Sequence, residues 1–374
     1  MDNPHICIIT VGFGFGGAER LIFDLVSNIK EYRFSVIGLK GDGILKEKLE
    51  KIGVEVYPLG GINTFDFRVL PRLLTLLKRL KPDLIHTHLI KANWLGRIAG
   101  TILNIPVISS IHTIYTFMNP LERFIENLTA RLSINISCSN TVQNTNKKLI
   151  GNFYNNYINN GVDVNVDLSY PSLNLLNLVT ISRISTKEKR LDILLKAFYK
   201  LSKEFPKLYL TIVGEGKYKN KFEEFAKYLG INQRVTFTGY LPVSSDFLKN
   251  FGVFILVSEF EGLPYSLLEA MASGLIPVVS NVGGIRDVVI DGVNGLLLNK
   301  NSPEEVYDKI KYLLTHKDKA GEIKIHARET IINNFHIKKT IKTWKNLYEE
   351  TLTAKHKHLR INGLHISIQP IQTE

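Results

Sequence analysis

Short, continuous apolar runs rich in β-branched residues alternate along the chain with longer stretches whose apolar positions recur every three or four residues. Runs of the first kind fall at 5–10, 34–39, 55–59, 84–88, 106–112 and 134–139, then at 178–182, 208–213, 234–238, 253–258, 276–280 and 296–298. In the first half the second kind lies between them, at 17–30, 43–52, 67–80, 89–103, 119–132 and 140–150. Continuous rather than alternating apolar strands predict burial on both faces, hence parallel sheets covered by helices. The rhythm breaks once: 163–177 has no lysine or arginine, holds Pro171 and several asparagines, and reads as a linker. Two doubly wound α/β domains joined there would leave a cleft facing the carboxyl ends of their strands, where ligands bind in such folds. A last helical segment, 337–352, has no strand after it, and the remainder reads as a loosely held tail.

Composition narrows the picture. A chain of 374 residues, 44% apolar and 22% charged, is folded and long enough for two cores. Cys7 and Cys138 cannot build a disulfide framework and read as buried, reduced thiols. The stretch 98–121 lacks formal charge, but Asn104, Pro106, His112, Asn119 and Pro120 make it too polar and too broken for a membrane span. With no basic leader before the first apolar run, the expected location is cytoplasmic. The net charge of +12 is spread through both halves, with 18 basic and 14 acidic side chains in 1–170 against 29 and 21 in the rest. No basic stripe for nucleic acid emerges; an anionic substrate or an anionic lipid surface remains.

The first turn carries Gly12, Gly14 and Gly17 in G-x-G-x-x-G register between a strand and a helix. A dinucleotide site also needs an acid closing the second strand, and here that strand ends Leu39-Lys40-Gly41, which disfavours a dehydrogenase. A glycine turn that lets backbone approach phosphate fits better. The densest segment is 257–289. A strand runs out at Ser258, Glu261 sits in the next loop, Pro264 presets a helix start, and Glu269 follows eight residues after Glu261. Backbone amides of Gly262, Leu263 and Tyr265 at that helix start make an anion site, and the two carboxylates can accept hydrogen bonds from vicinal hydroxyls.

These residues resemble the donor-binding signature of retaining glycosyltransferase family 4: an E-x7-E pair, Glu261 and Glu269, followed by EAMASG and PVVSNVGGI. The resemblance continues through GGAER (16–20), DLIHTH (83–88), NNGVD (159–163), IVGEG (212–216), VTFTGY (235–240) and DGVNGLLL (291–298), in order up to about residue 352. It implies a GT-B fold of two Rossmann-like doubly wound domains facing across a cleft. The acceptor-binding domain would be 1–165 and the donor-binding domain 166–335. A helix at 336–353 would return to the first domain, with a tail at 354–374.

The resemblance also implies residue roles. Arg183 and Lys189, six positions apart, would hold the donor diphosphate, with Lys187 or Arg190 as alternatives to Lys189. Gly16 and Gly17 would add backbone amides, Leu241 would lie near the base, Glu261 would orient the sugar and Glu269 the ribose. His112, ending a strand, would contact the transferring sugar, while His86 and His88 read as structural histidines. The expected donor is a UDP- or GDP-sugar, the acceptor a glycan or lipid-linked glycan, with no metal or other cofactor. Asp163, Asn165 and Asp167 resemble a ligand run but fall in the linker, and no metal-ligand spacing appears.

One segment concerns partners. The helix over 68–81 places Leu70, Leu73, Leu74 and Leu77 on one face, flanked by Arg68, Arg72, Lys78, Arg79 and Lys81. It can be read as resting on anionic membrane, which suits peripheral work on the inner face of the cell membrane, or as a core-packed helix with solvated basic ends. The activity expected is a retaining, metal-independent hexosyl transfer in surface polysaccharide or lipopolysaccharide synthesis. Rivals are a nucleotide-sugar 2-epimerase of the same fold, an NAD(P)-dependent dehydrogenase and a non-catalytic sugar-binding protein.

Overall fold

A computed structural model describes residues 3–14, 16–61, 68–164, 173–185 and 187–356. The chain forms two compact units, one running to Asn159 and resuming at Thr340, the other Asn160–Lys339.

The first unit has seven parallel strands: β1 (His5–Thr10), β2 (Arg33–Gly38), β3 (Glu55–Pro58), β4 (Leu84–His88), β5 (Val107–Ile111), β6 (Ile134–Ser137) and β7 (Asn156–Tyr157), in spatial order 3-2-1-4-5-6-7. Its helices are α1 (Gly17–Asn28), α2 (Ile44–Lys51), α3 (Val69–Leu80), α4 (Ile90–Leu103), α5 (Pro120–Ala130) and α6 (Asn140–Ile150). All residues of β1, β4 and β5 are buried, including His86, Thr87, His88, Ser109 and Ser110. The two-residue β7 was not anticipated; Asn-Tyr carries no apolar run to mark it.

The second unit has six parallel strands: β8 (Asn177–Ile181), β9 (Tyr209–Val213), β10 (Val235–Gly239), β11 (Val253–Leu256), β12 (Ile276–Ser280) and β13 (Leu296–Leu298), in order 10-9-8-11-12-13. Between and after them come α7 (Leu191–Glu204), α8 (Lys219–Tyr228), α9 (Ser245–Leu248), α10 (Tyr265–Ala272), α11 (Pro303–Thr315), α12 (Lys317–Asn334) and α13 (Ile337–His356). Phe198, Leu210, Ile255 and Val278 lie in one core with α11 side chains.

Two boundaries differ from the sequence reading. The chain enters the second unit at Asn160, ahead of the compositional linker, because Val162 forms a parallel bridge with His336 and Asn160 Nδ2 donates to the Leu263 carbonyl at 2.8 Å. Backbone pairing, invisible in composition, decides that edge. The last helix runs four residues beyond the predicted end, to His356. From Thr340 it belongs to the first unit, with Trp344 and Tyr348 buried and the His86 ring centroid 4.7 Å from that of Trp344. Residues 165–172, including Asn165 and Asp167, and 357–374 lie outside the described residues.

Candidate active site

In an open parallel sheet the ligand crevice lies where strand order reverses. In the second unit that point falls between β8 and β11, which are hydrogen-bonded neighbours whose crossovers run in opposite directions. The loops leaving them carry the predicted donor residues. Arg183, exposed, follows β8 by two residues; Lys189 ends a 3₁₀ turn, Lys187–Lys189, ahead of α7. From the β11 side the Glu259 amide donates to the Glu188 carbonyl at 3.0 Å, and Lys189 Nζ pairs with buried Glu261.

Glu261 is held from below. Ser258 Oγ donates to its Oε1 at 2.7 Å, the Ser258 amide donates to Ser280 Oγ at 2.8 Å, and Ser280 Oγ donates to Asn301 Oδ1 at 2.6 Å. Asn301 Nδ2 returns to the Ser258 carbonyl at 3.1 Å. This buried ring was missed in the sequence, although β11 and β12 both run out in a Val-Ser pair, 257–258 and 279–280. Gly283 (φ +51) packs directly on the same turn: a Cβ there would stand 1.7 Å from the Glu261 carbonyl oxygen. The adjacent Gly284 amide donates to the Gly262 carbonyl at 2.7 Å.

Pro264 occupies the N-cap of α10 rather than its first turn, and no side chain caps the helix; the Leu267 amide bonds the Pro264 carbonyl at 3.2 Å. Leu263 and Tyr265 are buried at this start, and Glu269 is half-buried one turn on. Of the three cations left open by the sequence, Arg190 is occupied by Asp192 (3.1 Å) and Glu259 (3.4 Å), and Lys187 is exposed; only Lys189 meets Glu261. Arg190 also holds φ +28, a strained value for a side-chain-bearing residue that costs about 1–3 kcal/mol and clusters at functional sites. Leu241 is not part of this group. It follows β10, two strands and therefore about 10 Å from β8.

In the first unit the order reverses between β1 and β4. Gly16 caps α1 in extended backbone and Gly17 opens it, just after β1. Leu89, just after β4, holds φ +72, a second strained position beside a reversal. His112 is half-buried one residue past β5, and its Nε2 lies 3.0 Å from Nδ1 of fully buried His88. His86 is tied to Tyr348 Oη (2.7 Å) and Ser110 Oγ (2.8 Å). Burial lowers all three rings, His86 to about 3, His112 to about 4 and His88 well below the usual 6.5. His86 is structural as read, whereas His88 is bonded to the predicted site residue itself. Register carries that signal: His88 pairs with Ser110, two positions before His112.

The helix read as membrane-facing is corrected by its packing. Val69, Leu73, Leu76 and Leu77 of α3 are core residues, with Leu70 and Leu74 packed against the same core, so no apolar face remains to enter lipid. Arg68, Arg72, Lys78, Arg79 and Lys81 are exposed at its margins, Arg72 donating to the Leu59 carbonyl at 3.0 Å. Among the described residues no group of three or more His, Cys, Asp or Glu is arranged to hold a metal, and no helix is long and apolar enough to cross a membrane. Cys7 and Cys138 are buried and unbridged, and burial pushes the Cys7 thiol up to about 12.

Residues 15–166 match the family model of Glycosyltransferase Family 4 and residues 175–330 that of Glycosyl transferases group 1. The chain is similar to the UDP-Gal:alpha-D-GlcNAc-diphosphoundecaprenol alpha-1,3-galactosyltransferase of Escherichia coli, 26% identical over 78% of this chain and 81% of that one. It is also similar to the poly(ribitol-phosphate) alpha-N-acetylglucosaminyltransferase of Staphylococcus aureus, 28% identical over 43% of this chain but only 33% of that longer protein. Among solved structures, Anabaena HepE in complex with UDP and glucose superposes with a TM-score of 0.82, covering 92% of this chain and 99% of that one at 22% identity. With both halves matched in order and both sheets in place, the chain belongs to the glycosyltransferases of family 4, group 1, an enzyme of GT-B fold.

Proposed function

We propose that this enzyme moves a hexose or N-acetylhexosamine from a UDP-sugar to a lipid-linked or glycan acceptor, with retention and without a metal, in surface polysaccharide assembly. The observation that carries the reading is the Lys189–Glu261 pair, seated where the second sheet reverses and beside the uncapped start of α10. A cation, a carboxylate and helix amides at one turn suit a diphosphate joined to a polyhydroxylated ring. UDP rather than GDP is favoured because the Escherichia coli relative is named for UDP-Gal and the Anabaena structure holds UDP. The diphosphoundecaprenol in the first name supports a lipid-diphosphate acceptor and work at the inner face of the membrane.

As the glycosidic bond to the diphosphate breaks, the anomeric carbon gains cationic character and the β-phosphate gains negative charge. Arg183, Lys189 and the amides at Gly262, Leu263 and Tyr265 are assigned to that charge, and the Gly16 and Gly17 amides of the first unit are assigned to phosphate binding. Loss of one such donor costs on the order of 10²–10³ in kcat. Glu261 accepts from the sugar hydroxyls, Glu269 from the ribose, and His112 contacts the transferring sugar. Leu241 is kept only as a neighbour of the base.

The test is thermal unfolding in EDTA with UDP, GDP, ADP, NAD⁺ or NADP⁺, on wild type and Glu269→Ala. Ligand at about 100 Kd adds roughly 2.7 kcal/mol. UDP alone should raise Tm, and less so in the variant. A shift with NAD⁺ or NADP⁺ and none with UDP would overturn the reading.

A further inference from the structure

Helix α5 is built inside out for a surface helix. Its inward residues include Glu126 and Thr129, both buried; Arg97 Nη1 donates to Glu126 Oε1 at 2.8 Å and Trp94 Nε1 donates to Oε2 at 2.5 Å. Its outward face is apolar: Leu121, Phe124 and Leu128 are 62%, 65% and 52% exposed, and Phe117, in the 3₁₀ turn ahead of the helix, is 50% exposed. Spacings of three and four put Leu121, Phe124 and Leu128 in one stripe along the helix. Single exposed apolar residues need no explanation, but a contiguous stripe marks a surface that meets something.

The surroundings say what. An open groove of about 570 Å³ runs beside the stripe, with Phe124 and Arg123 on one side and Leu149 and Ile150 of α6 on the other. Arg123, Arg131, Lys147 and Lys148 are exposed on these two helices. Opposing acid is sparse: Glu126 is buried with Arg97, Glu122 is engaged in the capping box with Asn119, and no Asp or Glu occurs between Glu126 and Asp163. An apolar stripe rimmed by four cations, with Glu122 as the partly exposed carboxylate on α5, complements anionic headgroups above acyl chains, and a protein partner of ordinary composition would not demand that basic rim.

We infer that the outer face of α5, with the C-terminal turn of α6, is an interfacial docking surface for an anionic lipid bilayer. Leu121, Phe124 and Leu128 enter the headgroup–acyl boundary, and Arg123, Arg131, Lys147 and Lys148 meet lipid phosphates. The inference rests on the proposed membrane-borne acceptor for its purpose. Its measurement needs neither donor nor acceptor, so its failure is distinguishable from failure of the UDP assay.

The experiment is flotation of the full chain with vesicles of phosphatidylcholine alone or mixed with phosphatidylglycerol, at low and high salt. Wild type should float with the anionic vesicles and lose binding as salt rises. Leu121→Ser/Phe124→Ser/Leu128→Ser should lower vesicle affinity by at least tenfold with Tm and the UDP response unchanged, because these side chains are already in water. Each of Arg123→Gln and Lys147→Gln should weaken binding about fivefold. Arg72→Gln/Lys78→Gln/Arg79→Gln on α3 should change it less. Equal flotation of the triple α5 variant and wild type would overturn the inference, as would loss of binding in the α3 variant alone. Absence of wild-type flotation, with light scattering showing a dimer that Phe124→Ser dissolves, would overturn it in favour of a contact between copies.

Discussion

His88 Nδ1 and His112 Nε2 share one hydrogen bond, 3.0 Å long, so one ring donates and the other accepts. His88 Nε2 is buried without a partner among the described residues, and an orphaned lone pair costs less than an orphaned N–H. This places the proton on His88 Nδ1, donating to His112 Nε2, and leaves His112 presenting Nδ1–H. His88 is thereby a positioning residue for the proposed sugar contact. His88→Asn, whose amide can still donate from near the Nδ1 position, should keep kcat within a few-fold, whereas His88→Leu should lower kcat more than it raises donor KM. Equal losses in both variants, accompanied by a drop in Tm, would assign His88 to packing alone.

The same histidines make the first unit acid-sensitive. Their folded pKa values lie below the unfolded 6.5, so between those values the unfolded chain binds more protons and stability falls as pH falls. The contribution is complete above about pH 6.5 and is lost downward towards about pH 4 for His112 and about pH 3 for His86. Each ring adds at most about 1.4 kcal/mol per pH unit across its window. Urea midpoints measured from pH 7 to pH 4 should fall steeply in wild type and less steeply in His112→Asn.

Arg97 and Glu126 form an ion pair with both side chains fully buried. Arg97 also donates to Asn135 Oδ1 at 2.6 Å, and the Tyr154 hydroxyl donates to Glu126, so few polar atoms of the pair go unmet. Removing one member strands the other charge in the interior. Arg97→Met or Glu126→Leu alone should cost about 3–5 kcal/mol, and the double substitution should recover much of that loss. Chemical denaturation of all three variants checks the non-additivity.

At Gly283 the positive φ and the 1.7 Å approach to the Glu261 carbonyl leave no room for a methyl group. Gly283→Ala should therefore displace the Glu261 turn and weaken UDP-sugar affinity by more than tenfold while circular dichroism stays native. Gly292→Ala, also at positive φ but with open space around its Cβ position, should leave donor affinity unchanged.

Lys189→Met should lower kcat by about 10²–10³, because the leaving diphosphate loses a charge partner. Glu261→Gln keeps the size and removes the charge; it should raise donor KM and leave Lys189 in place for the diphosphate. Both effects should be the same with and without EDTA. Restoration of rate by added Mg²⁺ in either variant would count against charge stabilisation by these side chains alone.

How far the sequence reached depended on whether the signal was local. Largely apolar runs such as 5–10, 84–88 and 276–280 are buried strands end to end, because a strand covered on both faces is mostly apolar and its few polar side chains must find partners inside. Ends were less legible: the predicted strand 34–39 is Arg33–Gly38, since hydrogen-bond register with β1 rather than side-chain polarity fixes where it begins. Arg183, Lys189, Glu261 and Glu269 were singled out by a short, ordered family motif, and the structure sets Lys189 against Glu261.

What the sequence by itself determined is the alternation of buried strands and helices, and with it two doubly wound sheets and the loops able to hold a nucleotide sugar. Only the tertiary structure decided which side chains meet. It joined Lys189 to Glu261, bound His88 to His112, spent the leucines of α3 on the core and turned those of α5 outward. The reason is physical: a hydrophobic period is the same in a helix whose apolar face is covered and in one whose face is bare. Which neighbour lies against it is set by strand order, a long-range property that no single segment encodes.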